Sequence, residues 1–235
     1  MWEIKKARSE FGSIKLMTFL GRMDLIQEFF DVEDELDNPL EEIEEDDLDT
    51  ELEEIELPPE TKQVLDDDYL EDERGWFEES LDDYPVFRSK NFKFDNYIIM
   101  GVYMYETLVG YVSRHTWSKK KIERYNKKAK KEGNYQILRY RNSEGNEFGK
   151  MLYGFDHIVE GETDTVIVLE GGMDVINVTQ ELDLFASNNM RAVATFGKKI
   201  SLQQIWHLQS RGIKNVILWF DSDAIDTIKD IELDI

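Results

Sequence analysis

The 235-residue sequence contains no cysteine, only four prolines and only three histidines. The absence of cysteine excludes disulfides, a thiol nucleophile and a cysteine-ligated zinc ribbon. With so few histidines, any metal site is expected to use oxygen ligands, which suit hard cations such as Mg²⁺ or Mn²⁺. No segment approaches the roughly 18 consecutive apolar residues of a membrane-spanning helix, and the amino terminus lacks the apolar stretch of a signal peptide. We therefore expect a globular cytoplasmic protein with no membrane partner.

Basic residues are outnumbered, with 28 Lys and Arg against 51 Asp and Glu, and the formal net charge of −23 argues at first against a nucleic-acid partner. The excess is local, however, because residues 31–84 contain 27 acidic and two basic residues, which leaves the rest of the chain at +2. Residues 31–57 combine low complexity with dense like charge and predict a flexible acidic linker. An alternative is a DNA mimic that covers a basic groove of this protein or of a partner.

On either side of this linker, the spacing of apolar residues is typical of helices and strands. Residues 1–30 space their apolar positions at helical intervals and predict an N-terminal helical segment. A regular spacing of apolar residues returns after Pro59, and it predicts a helix from Glu60 to Leu70. Tyr97 to Tyr105 and Leu108 to Val112 predict a β-hairpin. We assign residues 58–160 to a smaller mixed α+β subdomain.

Basic and aromatic residues are concentrated between Gly110 and Lys150, which contains twelve Lys or Arg residues and four acids. Cations neutralise phosphates and aromatic rings stack on bases, so this composition is typical of single-stranded nucleic-acid binding. For the run from Lys119 to Lys131, a solvated loop or helix face is an equal alternative.

From Thr165 onward, apolar runs alternate with helix-like stretches, which predicts a parallel sheet with crossover helices over residues 161–235. A capping box at Ser201 and Gln204 marks the start of the second helix. The predicted strands are Thr165 to Leu169, Arg191 to Phe196 and Asn215 to Phe220, and the predicted helices are Met173 to Phe185 and Leu202 to Ser210.

Acidic residues follow two of these strands, at the sheet edge where α/β proteins bind ligands. Glu170 follows the first strand, and Asp221 and Asp223 follow the third. Converging carboxylates repel one another unless a cation neutralises them, and Mg²⁺ prefers such ligands together with phosphate oxygens. We therefore predict that Glu170, Asp221 and Asp223 form a magnesium site. Three further residues are predicted to support it, namely Gly171 and Gly172 in a tight turn and Asp174 in the first helical turn.

These residues resemble a known family, the Toprim domain of bacterial and phage DNA primases. The resemblance lies in Val168-Leu169-Glu170-Gly171-Gly172-Met173-Asp174-Val175, Ala194-Thr195-Phe196-Gly197 and Phe220-Asp221-Ser222-Asp223. Upstream, further landmarks resemble the primase RNA-polymerase core. They are Tyr69-Leu70 with Arg74-Gly75, Gly110 to Arg114, Arg139 to Ser143, Phe148 to Lys150 and Leu152 to Gly154.

The resemblance implies a DNA primase that synthesises short RNA primers on a single-stranded DNA template from ribonucleoside triphosphates. Glu170, Asp221 and Asp223 would be its catalytic acids and metal ligands. Its binding surface for template and nucleotide would comprise Arg114, Arg139, Arg141, Asn142 and Lys150, with Lys198 a further candidate. A phage-encoded protein would work in the host cytoplasm.

Two departures from the family qualify this expectation. Ser222 stands where the family usually has glycine, and the sequence ends soon after Asp223, before the rest of the family's fold. We therefore expect a split or truncated primase that needs a second primase chain or a zinc-ribbon module, and a replicative helicase as partner. The alternatives are a non-catalytic Toprim scaffold that binds single-stranded DNA or assembles a replisome, and a Toprim nuclease.

Overall fold

The computed structural model describes residues 51–64, 66–145 and 147–220. Within this range the chain forms two compact units, the amino-terminal unit Glu51–His157 and the carboxy-terminal unit 158–220. The predicted helical segment 1–30 and most of the predicted acidic linker lie outside the described residues. Residues 51–57, which the sequence assigns to the linker, belong to the amino-terminal unit.

The amino-terminal unit is built on a four-stranded antiparallel sheet with the strand order β1-β2-β3-β4. Two short helices connect β1 to β2, and one longer helix follows β4. The strands are β1 (Thr61–Val64), β2 (Val86–Ser89), β3 (Tyr97–Met104) and β4 (Thr107–His115), and the helices are α1 (Asp68–Asp72), α2 (Glu78–Asp83) and α3 (Lys119–Glu132).

The predicted hairpin is confirmed as β3 and β4, which are joined by a two-residue turn. Tyr105 and Glu106 in this turn both have positive φ angles, 54° and 63°. Positive φ at both central positions is the geometry that matches the twist of a tight hairpin, although glycine or asparagine usually supplies it. The carboxylate of Asp156 accepts hydrogen bonds from the backbone N–H groups of Tyr105 and Glu106, at 2.7 and 2.9 Å, and so holds the turn in place.

The helix predicted from Glu60 to Leu70 is wrong. Glu60 has a φ of 58°, which a right-handed helix excludes, and the residues that follow it form β1, paired with β2. A helix begins only after Asp67, whose carboxylate accepts hydrogen bonds from the N–H groups of Tyr69 and Leu70. Pairing with a distant strand thus overrides the helical spacing of the local sequence.

The outer edge of β4 is covered by two other parts of the chain. The N–H of Ile55 donates to the carbonyl of Leu108. Further along, the segment 139–143 runs antiparallel to β4, with Tyr140 opposite Arg114. This pairing brings two predicted nucleic-acid-binding segments, which are 25 residues apart in the sequence, into direct contact.

Strand β3 is buried at nearly every position, and because neighbouring strand residues face opposite sides, both faces of the sheet are covered there. One face carries a cluster of Phe94, Tyr97 and Ile99, against which Leu57 and other half-buried residues pack. Elsewhere in this unit, the segment around α1 and α2 is anchored by its own buried apolar residues, Leu70, Trp76 and Leu81. Full burial of such side chains contributes roughly 1.5–3 kcal/mol each.

The carboxy-terminal unit confirms the predicted parallel sheet with crossover helices. Its strands lie in the order β6-β5-β7, with both neighbours parallel to the central strand β5. Strand β5 is fully buried, as a central strand covered by helices should be. The elements are β5 (Thr165–Leu169), α4 (Gly172–Glu181), β6 (Met190–Ala194), α5 (Leu202–Ser210) and β7 (Asn215–Leu218).

Helix α5 has the predicted limits, whereas α4 begins one residue before the predicted Met173 and ends at Glu181 instead of Phe185. The capping box of α5 is present, since the hydroxyl of Ser201 accepts from the N–H of Gln204 at 3.0 Å while the Gln204 side chain accepts from the N–H of Ser201. Across residues 51–64, 66–145 and 147–220, no helix has both the length and the apolar character needed to span a bilayer.

Candidate active site and nucleic-acid interface

Glu170 lies at the carboxyl edge of the parallel sheet, directly after the central strand β5. The register pairs Val168 with Leu218 of β7, and the N–H of Trp219 extends this pairing by donating to the carbonyl of Val168 at 2.8 Å. Strand β7 therefore carries the chain to the same edge at Phe220, which is buried. Asp221 is the next residue in the sequence.

The turn between β5 and α4 has the tight geometry that its glycines predict. Gly171 caps the helix in an extended conformation, and Gly172 is the first helical residue. A side chain at Gly171 would place its Cβ 3.3 Å from a carboxylate oxygen of Asp174, which is closer than most real Cβ contacts. Glycine thus leaves room for Asp174, and the structure brings Glu170 and Asp174 to one strand-to-helix turn.

The loop after β6 lies at the same edge and contains a strained residue. Phe196 has a φ of 61°, a left-handed conformation that is costly for an aromatic residue and that persists only when neighbouring contacts enforce it. Those contacts involve Thr195, whose N–H donates to the carbonyl of Leu169 and whose carbonyl accepts from the buried side chain of Gln204. No local sequence pattern predicted this strain. The predicted residue Lys198 lies in this loop and is exposed.

The metal site has only part of its predicted ligands among the described residues. Asp221 and Asp223 lie outside them, and the described residues contain no group of three or more carboxylate or histidine side chains that could hold a metal. The residues present nevertheless fit a hard cation, because Glu170 and Asp174 supply only oxygen donors at the edge where the chain leads to two further aspartates. The described part of the edge thus contains one predicted ligand, Glu170, and the carboxylate predicted to support it, Asp174.

A second group of functional side chains lies in the amino-terminal unit, where three arginines and two tyrosines come together. Tyr140 has the guanidinium groups of Arg114 and Arg139 over its ring, 5.8 and 5.6 Å from the centroid. Arg74 lies over the ring of Tyr69 at 5.1 Å, and its Nε donates to the Tyr69 hydroxyl at 2.9 Å. We call these five residues the arginine–tyrosine cluster.

The electrostatics of this cluster centre on Arg114. Burial lowers the pKa of Arg114, and the neighbouring cations Arg74 and Arg139 act in the same direction, while Tyr140 and Tyr69 oppose them. Three cations held close together repel one another, so the arrangement favours binding of an anion. The site prediction included Arg114 and Arg139 but missed Arg74. The sequence did contain a signal for Arg74, because this residue belongs to the primase-like landmark that begins at Tyr69.

The other predicted binding residues of this unit do not belong to the contacts that define the cluster. Arg141 is beside Phe94, Tyr97 and Tyr135, on the sheet face opposite to Arg114. Asn142 is exposed. Lys150 is largely buried and pairs with Glu147. The structure therefore unites two of the five predicted residues of this unit and places Arg141 on the other face of the sheet.

The comparison with protein families agrees with the fold of the carboxy-terminal unit. The sequence model of the Toprim domain family matches residues 165–225, which include Glu170, Asp174 and both aspartates of the Asp-Ser-Asp motif. No curated protein matches the chain. The family match agrees with two features of this unit, namely the parallel sheet and the acidic residues that follow two of its strands in the sequence. Residues 165–225 are a Toprim domain, the fold that primases, topoisomerases and nucleases share.

Proposed function

We propose that this protein is the catalytic core of a DNA primase, which makes short RNA primers on single-stranded DNA by metal-dependent nucleotidyl transfer. The observation that carries the proposal is the arginine–tyrosine cluster. Three primase-like landmarks, which contain Tyr69 with Arg74, Arg114, and Arg139 with Tyr140, are separated in the sequence but meet at one surface. A topoisomerase or a nuclease would need a Toprim domain but not these landmarks.

The cluster suits a single-stranded template for two physical reasons. Its arginines can neutralise successive phosphates, which provides the sequence-independent part of the affinity. Tyr140 is 46% exposed, and a base that stacks on the part of its ring not covered by Arg114 and Arg139 would contribute roughly 1–3 kcal/mol. A primase must accept any template sequence at most positions, and phosphate neutralisation with stacking meets that requirement.

The proposed chemistry takes place at the carboxyl edge of the Toprim sheet. Glu170, Asp221 and Asp223 would hold the metal, with Asp174 supporting Glu170 from the first turn of α4. When held there, Mg²⁺ or Mn²⁺ would supply positive charge to the phosphate oxygens during transfer. Glu170 would either ligate this metal or assist deprotonation of the attacking 3′-hydroxyl. Lys198, which is exposed in the loop after β6, would contact a phosphate of the incoming nucleotide.

Primer synthesis by the purified full chain tests this proposal. The assay supplies a single-stranded DNA circle, labelled ribonucleoside triphosphates and Mg²⁺, and we expect short RNA products that disappear when the metal is chelated. Glu170→Gln should lower their yield by more than about 100-fold, because even residues that only support a metal ligand cost roughly 10- to 100-fold. Glu181→Gln is the matched control, since this exposed residue ends α4, about 15 Å from the turn at Glu170.

Two other outcomes would replace this proposal. Metal-dependent degradation of labelled DNA without RNA synthesis, lost in Glu170→Gln, would identify a Toprim nuclease. Binding of single-stranded DNA without either activity, unchanged in Glu170→Gln, would identify a non-catalytic scaffold.

A further inference from the structure

Helix α3 carries a row of cations on its outer side. Its 14 residues include seven lysines and one arginine against two glutamates. Residues spaced by three or four positions share a helix face, and the face opposite to the buried Ile122 and Ala129 has four exposed cations at such spacings. We call Lys120, Arg124, Lys127 and Lys131 the outer row, which extends over about 16 Å of the helix.

The outer row is presented on a fixed element. Ile122 and Ala129 are buried, and the side chain of Asn126 makes two hydrogen bonds with the backbone of Ile137, at 2.7 and 2.8 Å. The hydroxyl of Ser118 caps the start of the helix, and Gly133 ends it with a left-handed φ of 69°. The spacing of the four cations is therefore set before any ligand binds.

The charge of the outer row is not neutralised by the described part of the protein. The described residues provide one ion pair to this helix, between Lys128 and Glu132 at 3.8 Å, and Lys121 lies over the ring of Trp117. None of the four cations of the outer row makes an ion pair with a described residue. Four like charges at spacings of about 5–6 Å lower the stability of an isolated helix. Packing of the helix does not require these charges, because they lie on its outer side.

We propose that the outer row of α3 is a docking site for the phosphate backbone of duplex DNA. The row contains no aromatic ring to stack on a base and no amide to read a base edge, so phosphates are the part of a nucleic acid that it can recognise. Duplex DNA carries about one charge per 1.7 Å of its axis, a dense line of anions that is complementary to a straight row of cations. The outer row shares no residue with the arginine–tyrosine cluster, and it adds a second kind of DNA to the one in the proposed function.

The acidic segment of the same chain is the competing occupant. Residues 31–50 contain twelve acids and no basic residue. Even fully extended, this segment has one charge per about 5.5 Å, since each residue extends over roughly 3.3 Å. Duplex DNA has about three times that linear charge density, so we infer that duplex DNA is the preferred ligand of the row despite the tethering of the acidic segment.

Salt-dependent binding of a short DNA duplex to the full chain tests the inference. The variant Lys120→Gln/Arg124→Gln/Lys127→Gln/Lys131→Gln removes the row while retaining good helix formers. Log K decreases as log salt increases, and each phosphate contact contributes about −0.9 to this slope. Loss of the row should therefore make the slope less negative by about 3 to 4. The matched control, Lys62→Gln/Lys90→Gln/Lys93→Gln/Lys214→Gln, removes the same charge from exposed sites elsewhere and should leave the slope nearly unchanged.

Single-stranded oligothymidine provides the second arm of the test. The row variant should bind oligothymidine with the same affinity and salt slope as the wild type. This result would support the duplex site whether or not the chain makes primers. Three outcomes overturn the inference. They are equal losses in the row variant and the control, equal losses for duplex and single strand, and carbodiimide crosslinks from α3 to residues 31–49 that persist at saturating duplex.

Discussion

At the scale of single residues, the proposed function depends most on Arg114. This side chain is half-buried between two other arginines, and the sheet fixes its position by pairing Arg114 with Ile98 on one side and Tyr140 on the other. A cation that folding holds near like charges at a cost is better explained by a ligand than by stability. The same logic does not apply to Lys150, because Glu147 already neutralises it.

Arg114→Ala should therefore weaken binding of single-stranded DNA and reduce the salt slope by about 0.7, the value for one lost contact with a single strand. Arg114→Lys retains the charge and should retain the slope. Lys93→Ala, at an exposed site in a turn, is the control for a general loss of charge. An unchanged slope in Arg114→Ala would show that Arg114 does not face the nucleic acid. Fluorescence anisotropy over a range of salt concentrations gives these slopes.

His207 gives the protein a pH dependence of stability that has no part in catalysis. This residue of α5 is 1% exposed, and burial lowers its pKa from 6.5 to about 4. Between these values the unfolded chain binds a proton that the folded protein does not, so the free energy of unfolding decreases as the pH falls from about 6.5 towards 4. The full loss is about 3 kcal/mol, at 1.36 kcal/mol per pKa unit.

Urea unfolding of wild type and His207→Leu at pH 7 and pH 4.5 measures this contribution. Carboxylates also titrate in this window, so the informative quantity is the difference between the two proteins. The wild type should lose about 2 to 3 kcal/mol more than the variant on acidification. Equal losses would mean that His207 has a normal pKa in the folded protein.

At the scale of secondary-structure elements, the turn of the β3–β4 hairpin has residues that disfavour its geometry, and a distant side chain stabilises it. Tyr105 and Glu106 adopt left-handed conformations without glycine or asparagine, and the carboxylate of Asp156 binds both of their N–H groups. The apolar strands and this distant carboxylate fix the turn together, although its two residues would not specify it alone.

Glu106→Gly should therefore stabilise the protein by about 0.5–1 kcal/mol, because glycine adopts a positive φ without the steric cost of a side chain. Its backbone N–H remains available to Asp156. Glu106→Ala retains a Cβ and should give no such gain, which makes it the matched control. Thermal unfolding resolves the difference, and a gain of the same size in Glu106→Ala would show that removal of the charge is responsible.

The elements also show which sequence patterns were informative. In the carboxy-terminal unit, β5 and α5 have the predicted limits, because a buried run and a capping box depend on local sequence alone. In the amino-terminal unit, the segment after Glu60 was predicted as a helix but forms β1, because its backbone partners lie in β2, about 25 residues away. Local periodicity contains no information about such a partner.

At the scale of the whole molecule, charge is divided along the chain rather than balanced. Residues 31–84 hold the acidic excess, while α3 and the arginine–tyrosine cluster concentrate cations within the amino-terminal unit. A net charge of −23 thus disfavours non-specific association with nucleic acid at long range, whereas local cationic surfaces favour it at contact. With a Debye length of about 8 Å at physiological salt, the local surfaces dominate once DNA is bound.

The sequence by itself determined the parallel sheet with crossover helices and the position of Glu170 at a strand end. Both follow from the alternation of strand and helix patterns and from the rule that parallel strands present their carboxyl ends at one edge. Only the tertiary structure decided that Arg74 joins Arg114 and Arg139, that Arg141 lies on the other face of the sheet, and that α3 presents a fixed row of cations. These results depend on strand pairing and burial between residues far apart in the chain, which no local pattern of residues specifies.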